Sequence, residues 1–174
     1  MSKARAISGF PEWLPGERLV EQHFLDVLRA RFESFGFTNI ETRSVEPLDV
    51  LLKQGDTDKE IYVINRLHHE PGDRRSDEDK GGLGLHYDLT VPFARYVTQN
   101  RGQLHFPFKR YQIQKVWRGE RPQKGRYREF YQADIDVVGQ DTLSVTFDAE
   151  MALLLHETVS SLPIPPICIH INNR

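Results

Sequence analysis

Apolar positions along this chain of 174 residues recur in two rhythms. From Glu17 onward, Leu19, Val20, Phe24, Val27, Leu28, Phe32 and Phe35 fall at helical spacing, with Glu21, Gln22, Arg29 and Glu33 on the polar side and Gly36 as a stop. Phe147, Met151, Leu154, Leu155, Val159 and Leu162 repeat that rhythm. Asp148 and Glu150 suit the first turn of this second helix, and Pro163, Pro165 and Pro166 end it. Period two predicts strands over Thr38–Val45, Glu60–Asn65 and Ile167–Ile171. It also predicts a short strand, Leu85–Asp88, that runs into a helix with Pro92 in its first turn and its end near Asn100. Asp49–Gln54 reads as a short helix, and residues 6–16, with their prolines and glycines, as an extended lead-in. Arg66–Gly84 is dense in charge, Gly and Pro, which predicts an exposed loop.

The longest period-two pattern runs from Lys109 to Val138 and predicts an antiparallel hairpin. In its second half Tyr131, Ala133, Ile135 and Val137 form the apolar face, while Phe130, Gln132, Asp134 and Asp136 form the other. In its first half Tyr111, Ile113 and Trp117 share a face with Lys115, and Gln112, Gln114, Val116 and Arg118 line the opposite one. Between the halves, Gly119–Tyr127 carries turn chemistry. One face is expected to be core and the other functional.

Composition narrows the class. A hydrophobic share of 39% and a charged share of 28% fit a soluble domain with a sizeable core. No run approaches the roughly 20 apolar residues that a membrane span needs, and no apolar signal core is visible, so the cytoplasm is the expected compartment. Cys168 lies in the apolar run 167–171 and is expected in the core. His68 and His69 adjoin each other without a spaced third ligand, and the remaining histidines are scattered, so no metal site is expected. A net charge of −2 gives no broad footprint for nucleic acid.

The hairpin departs from that balance. Between Lys109 and Arg128 there are eight Lys or Arg and one acid, Glu120. A solvated basic tip is the bland account. Against it, Arg118 ends a strand, Arg121 and Arg126 bracket the loop, and Phe130 shares its face with carboxylates. A guanidinium fork suits carboxylate or phosphate oxygens, an aromatic ring can stack a purine, and acids can hold an ammonium or imidazole. Cations, an aromatic and acids in that order fit an amino acid held beside a nucleotide phosphate. Asp88 and Thr90, at the strand-to-helix junction, suit either a helix cap or contacts to that amino acid.

The run Arg118–Gln132, RGERPQKGRYREFYQ, resembles motif 2 of the class II aminoacyl-tRNA synthetases in its histidyl form, and Tyr87–Tyr96, YDLTVPFARY, resembles the histidine-contacting segment of the same family. The resemblance extends over essentially the whole chain. It implies an α+β fold, with an antiparallel β-sheet flanked by helices and incomplete at the C-terminal end. Residues 1–174 would be the N-terminal portion of the catalytic domain, with motif 3 and the anticodon-binding domain absent. The helix and strand over 17–45 would be motif 1 and the interface of a homodimer. Arg43 stands where the family has a proline, and His86 where most relatives have arginine.

The activity implied is attack of the carboxylate of L-histidine on the α-phosphorus of ATP, then transfer of the histidyl group to tRNA(His). Arg118 would be the catalytic residue, bridging carboxylate and α-phosphate. Glu120 would hold adenine, Arg126 the outer phosphates, and Phe130 would stack on the base. Asp88, Thr90, Gln132 and Asp136 would bind histidine. Mg2+ would be carried mainly by the phosphates. A truncated chain of this kind is expected to be weakly active or inactive by itself. Two alternatives stay open: a non-catalytic histidine-sensing paralogue that regulates another enzyme, and an RNA-binding hairpin without a small-molecule site.

Overall fold

The computed structural model describes residues 5–52, 60–65 and 81–172. Residues 66–80 of the expected loop, with His68 and His69, lie outside them. The fold is α+β, as expected. Its helices are α1 (Pro15–Ser34), α2 (Leu48–Leu51), α3 (Thr90–Asn100) and α4 (Thr146–Ser160). Its strands are β1 (Thr38–Asn39), β2 (Val45–Pro47), β3 (Val63–Ile64), β4 (Leu83–Leu85), β5 (Phe108–Trp117) and β6 (Glu129–Val138). One sheet has the order β1-β5-β6, with β1 parallel to β5; the other has the order β2-β4-β3 and is antiparallel. The described residues gather into two compact units, one from 1–12, 41–103 and 113–132, the other from 13–40, 104–112 and 133–174.

In the second unit α1 starts two residues before the apolar rhythm suggests. Pro15 opens it, where the missing N–H costs nothing, and the Glu17 carboxylate accepts the Leu14 N–H at 3.0 Å. Its end follows from Gly36, at φ +79°, a left-handed conformation that a side chain would strain. The Gly36 N–H then reaches the Glu33 carbonyl and the Phe37 N–H the Phe32 carbonyl, which satisfies the last turn and buries Phe37 beside Phe32. Phe32 and Tyr111 meet with ring centroids 5.5 Å apart, and Leu25 and Leu154 complete this core. Leu19 and Val20, read as part of the apolar face, are 73% and 58% exposed. They belong to the first turns of α1, ahead of its buried residues Leu25 and Phe32.

The first unit is built on a buried carboxylate. Glu46 on β2 has no exposed surface. Its Oε1 receives Arg95 of α3, through Nε at 2.8 Å and Nη2 at 2.7 Å, and its Oε2 receives Arg43, through Nε at 3.1 Å and Nη2 at 2.7 Å. Arg43 is thus a partner of β2 rather than an irregularity in a strand. His86, also fully buried, donates from Nε2 to the Lys115 carbonyl at 2.7 Å and lies 5.5 Å from the Trp117 ring, tying the segment after β4 to β5.

Three expectations fail. Thr38–Val45 is not one strand, because its ends pair with different partners: β1 with Arg110 and Tyr111, β2 with β4. Between them the Thr42 carbonyl accepts the Gln114 side-chain amide at 2.7 Å instead of joining a ladder. Ile167–Ile171 is irregular and Cys168 is exposed. Alternation makes a strand only where a neighbour supplies hydrogen bonds, and none pairs with it among the described residues. On β5 the polar row is buried along its length, with Arg110, Gln112, Gln114 and Val116 all buried, while on the apolar row Tyr111 is buried and Ile113, Lys115 and Trp117 are half-buried.

Replacing Glu46 by Ala is expected to destabilise the protein by about 3–5 kcal/mol, because it empties a fully buried site and leaves the mostly buried Arg95 guanidinium without its counter-charge. Arg43→Ala, at a side chain 53% exposed, is expected to cost under about 1 kcal/mol. Urea unfolding of the two variants would separate them, and equal losses would refute the clamp.

Candidate active site

The site grows from the point where β5 and β6 close. The Arg118 N–H donates to the Arg128 carbonyl at 2.9 Å, and the Gly119 N–H to the Glu60 carbonyl at 2.7 Å. A Cβ on Gly119 would lie 3.1 Å from that same oxygen, so this approach of two backbones favours glycine. The loop beyond is held by the mutual backbone hydrogen bonds of Gln123 and Arg126.

Arg118 is held by neutral groups. Its guanidinium carbon stands 4.5 Å from the Tyr87 ring centroid and 5.1 Å from that of Phe130. Nε donates to the Tyr87 carbonyl at 3.2 Å and Nη2 to Gln132 Oε1 at 3.3 Å. Glu120 accepts the Tyr87 hydroxyl on Oε1 at 2.8 Å and Arg126 Nη1 on Oε2 at 3.1 Å. Burial, and then the bond to Glu120, push the Tyr87 phenol above its ordinary value, so it stays a neutral donor. Arg118, Glu120, Arg126 and Phe130, with Gly125 and Tyr127, line a cavity of about 280 Å³. That is just below the roughly 300–1,000 Å³ typical of ligand pockets.

All four residues assigned to ATP therefore meet around one cavity, and Gln132 joins them through Arg118. Asp88 and Thr90 meet each other: Asp88 Oδ1 accepts the Thr90 N–H at 3.0 Å, a local turn just ahead of α3. Asp136 belongs to the second unit and pairs with the buried Arg110, Oδ2 to Nη2 at 2.5 Å. Burial raises the Asp136 carboxyl and lowers the Arg110 guanidinium, each against the pull of the other's charge. Among the described residues no group of three His, Cys, Asp or Glu side chains could hold a metal ion. Glu120 is the only carboxylate among the residues that line the cavity, and it is already engaged by Tyr87 and Arg126.

Two supporting residues escape the sequence pattern as read above. Tyr87 is one; its contacts lie more than thirty positions away, beyond any local periodicity. Glu129 is the other. Its Oε1 accepts Lys115 Nζ at 2.5 Å and its Oε2 accepts Trp117 Nε1 at 2.8 Å, which pins the strand before Phe130. Opposite charges facing each other across a hairpin were a signal for that pair.

A hairpin that gathers arginines, a glutamate and a phenylalanine around one cavity, on an α+β fold, is the arrangement that the resemblance to the aminoacyl-tRNA synthetases implies. The histidyl-tRNA synthetase family model matches residues 9–173, and the chain belongs to that family. A histidine–tRNA ligase of Micrococcus luteus is 57% identical over 180 residues, which take in 100% of this chain and 39% of that protein. One of Thermobifida fusca is 55% identical over 97% of this chain and 37% of its own length. The crystal structure of histidyl-tRNA synthetase from Nostoc sp. PCC 7120 superposes with a TM-score of 0.76 at 39% identity, over 91% of this chain and 34% of that one. The chain thus spans about two fifths of the length of the relatives it matches.

Glu129 sets a pH dependence. Burial pushes its carboxyl up, but the bonds from Lys115 and Trp117 outweigh burial and hold it below the ordinary 4.5. An acid lowered by folding contributes stability above its unfolded value, and that contribution is lost as pH falls through the folded value. Urea unfolding from pH 6 downward should show wild-type stability declining below about pH 4.5, with a shallower decline in Glu129→Gln. Parallel profiles would contradict the assignment.

Proposed function

We propose that this chain serves the ATP-dependent activation of L-histidine and the transfer of the histidyl group to tRNA(His), as the N-terminal portion of a class II catalytic domain. The observation that carries the reading is the state of Arg118. Its position is fixed by two rings, a carbonyl and an amide oxygen, and no carboxylate pairs with it among the described residues. A cation held by neutral partners keeps its charge for an incoming anion.

In this mechanism a carboxylate oxygen of histidine forms a bond to the α-phosphorus, and the bond from that phosphorus to the leaving pyrophosphate breaks. The protein supplies no nucleophile. Arg118 draws the carboxylate and the α-phosphate together, two anions that repel each other, and offsets the charge of the transition state. Glu120 accepts the exocyclic amine of adenine, Phe130 stacks on the base, and Arg126 moves to the outer phosphates. Asp88, Thr90 and Gln132 meet the ammonium and imidazole of histidine. Magnesium would be held mainly by the phosphate oxygens rather than by this chain's side chains, and would offset their charge. The terminal ribose hydroxyl of tRNA(His) then takes the acyl group and releases AMP.

A cytoplasmic homodimer through residues 17–45 completes the proposal. The exposed Leu19 and Val20 supply apolar surface there, and among the described residues no helix is long and apolar enough to cross a membrane. A purely regulatory role in histidine sensing is less well supported, since such a role does not need the nucleotide groups gathered around the cavity.

Histidine-dependent exchange of labelled pyrophosphate into ATP, measured on the protein at its natural length, tests the reading. Arg118→Ala should lower exchange by roughly 10²–10³-fold, as the loss of one charge-stabilising donor does elsewhere. Exchange that needs no histidine, or that survives Arg118→Ala intact, would reject it.

A further inference from the structure

We propose that Tyr87 is a positioning residue of the nucleotide site, whose ring sets Arg118 and whose hydroxyl sets Glu120 as two separable actions. The proposal rests on the reading of the cavity as the ATP site. Tyr87 makes three contacts to the groups around that cavity. Its ring lies 4.5 Å from the Arg118 guanidinium, its carbonyl accepts Arg118 Nε at 3.2 Å, and its hydroxyl donates to Glu120 Oε1 at 2.8 Å.

The ring matters because the hydrogen bonds of Arg118 are long, at 3.2 and 3.3 Å. Such bonds alone orient a planar group weakly. With Phe130 within 5.1 Å as well, the guanidinium lies against two aromatic rings, and its plane cannot turn without leaving one of them. The hydroxyl acts on the other residue. Among the described residues each oxygen of Glu120 has one side-chain partner, Tyr87 on Oε1 and Arg126 on Oε2. Arg126 is exposed and is the partner that leaves when phosphates arrive. Tyr87 then remains as the group that keeps the carboxylate aimed at a base, while the second lone pair of each oxygen can accept an amine. Tyr87 also directly precedes Asp88, so the residue that aims the nucleotide groups is bonded to the segment proposed for histidine.

The test uses the protein at its natural length, with pyrophosphate exchange measured for ATP and for inosine triphosphate, whose base carries oxygen in place of the amine. Tyr87→Phe keeps the ring and removes the hydroxyl. It should raise the KM for ATP about 10-fold, as loss of a hydrogen bond to a charged group does. It should narrow the preference for ATP over inosine triphosphate, with kcat and the KM for histidine unchanged. Tyr87→Leu removes ring and hydroxyl together and should lower kcat as well. In a Glu120→Ala background, Tyr87→Phe should have no further effect, since both changes break one interaction. If Tyr87→Phe matches wild type in KM and base preference while Glu120→Ala alters both, the positioning role is wrong and the ATP reading stands. If Glu120→Ala and Arg118→Ala both leave exchange intact, the ATP reading falls and the role of Tyr87 falls with it.

Discussion

A carboxylate with no exposed surface, Glu46, governs the first unit, because a buried anion is tolerated only when cations and N–H donors surround it. Arg95 is the cation that satisfies Glu46 from within the fold, and Arg95 sits on α3. Its pairing therefore fixes α3 against β2. Once α3 is fixed, so is the segment that enters it: the Asp88–Thr90 turn, Tyr87 ahead of it, and buried His86 locked to the Lys115 carbonyl of β5. Tyr87 in turn fixes Arg118 and Glu120. The sequence of dependence runs from a structural charge to a functional one through a short stretch of backbone, and neither end touches the other.

Much of this was legible in the sequence, and what was not has a common cause. The hairpin could be read because its two strands and its turn chemistry are contiguous, and Arg118, Glu120, Arg126 and Phe130 could be read with it because they lie within thirteen positions of one another. Helices α1 and α4 followed from periodicity, and Gly36 marked where α1 stops. The polar row of β5 could not be placed by pattern alone. Alternation separates two faces, but burial depends on what covers each face, and here the Thr42 carbonyl and Ser44 hydroxyl, seventy or more positions away, accept the Gln114 amide. Cys168 failed for the converse reason: an apolar alternating run, with no strand paired to it among the described residues, stays irregular and exposed. Tyr87 has an ordinary place in its motif, and only the approach of the hairpin reveals its use.

The charged groups of the first unit fall into two sets with different energetics. Glu46 with Arg95 is a buried pair, and removing one partner of such a pair costs several kcal/mol. Charges of that kind hold structure and cannot be lent to a ligand. Arg126 with Glu120 is different: Arg126 is exposed, and a surface ion pair of this sort contributes about 0–1 kcal/mol. A nucleotide can displace it at little cost, and the pair meanwhile keeps both side chains beside the cavity. Arg118 belongs to neither set. Aromatic faces and neutral oxygens give it position without cancelling its charge, so an anion that enters finds a cation already oriented and has no ion pair to break. That division accounts for five of the eight basic residues that stand against one acid between Lys109 and Arg128. Lys109, Arg110 and Lys115 find carboxylates on other elements and hold the fold, while Arg118 and Arg126 are left facing the cavity.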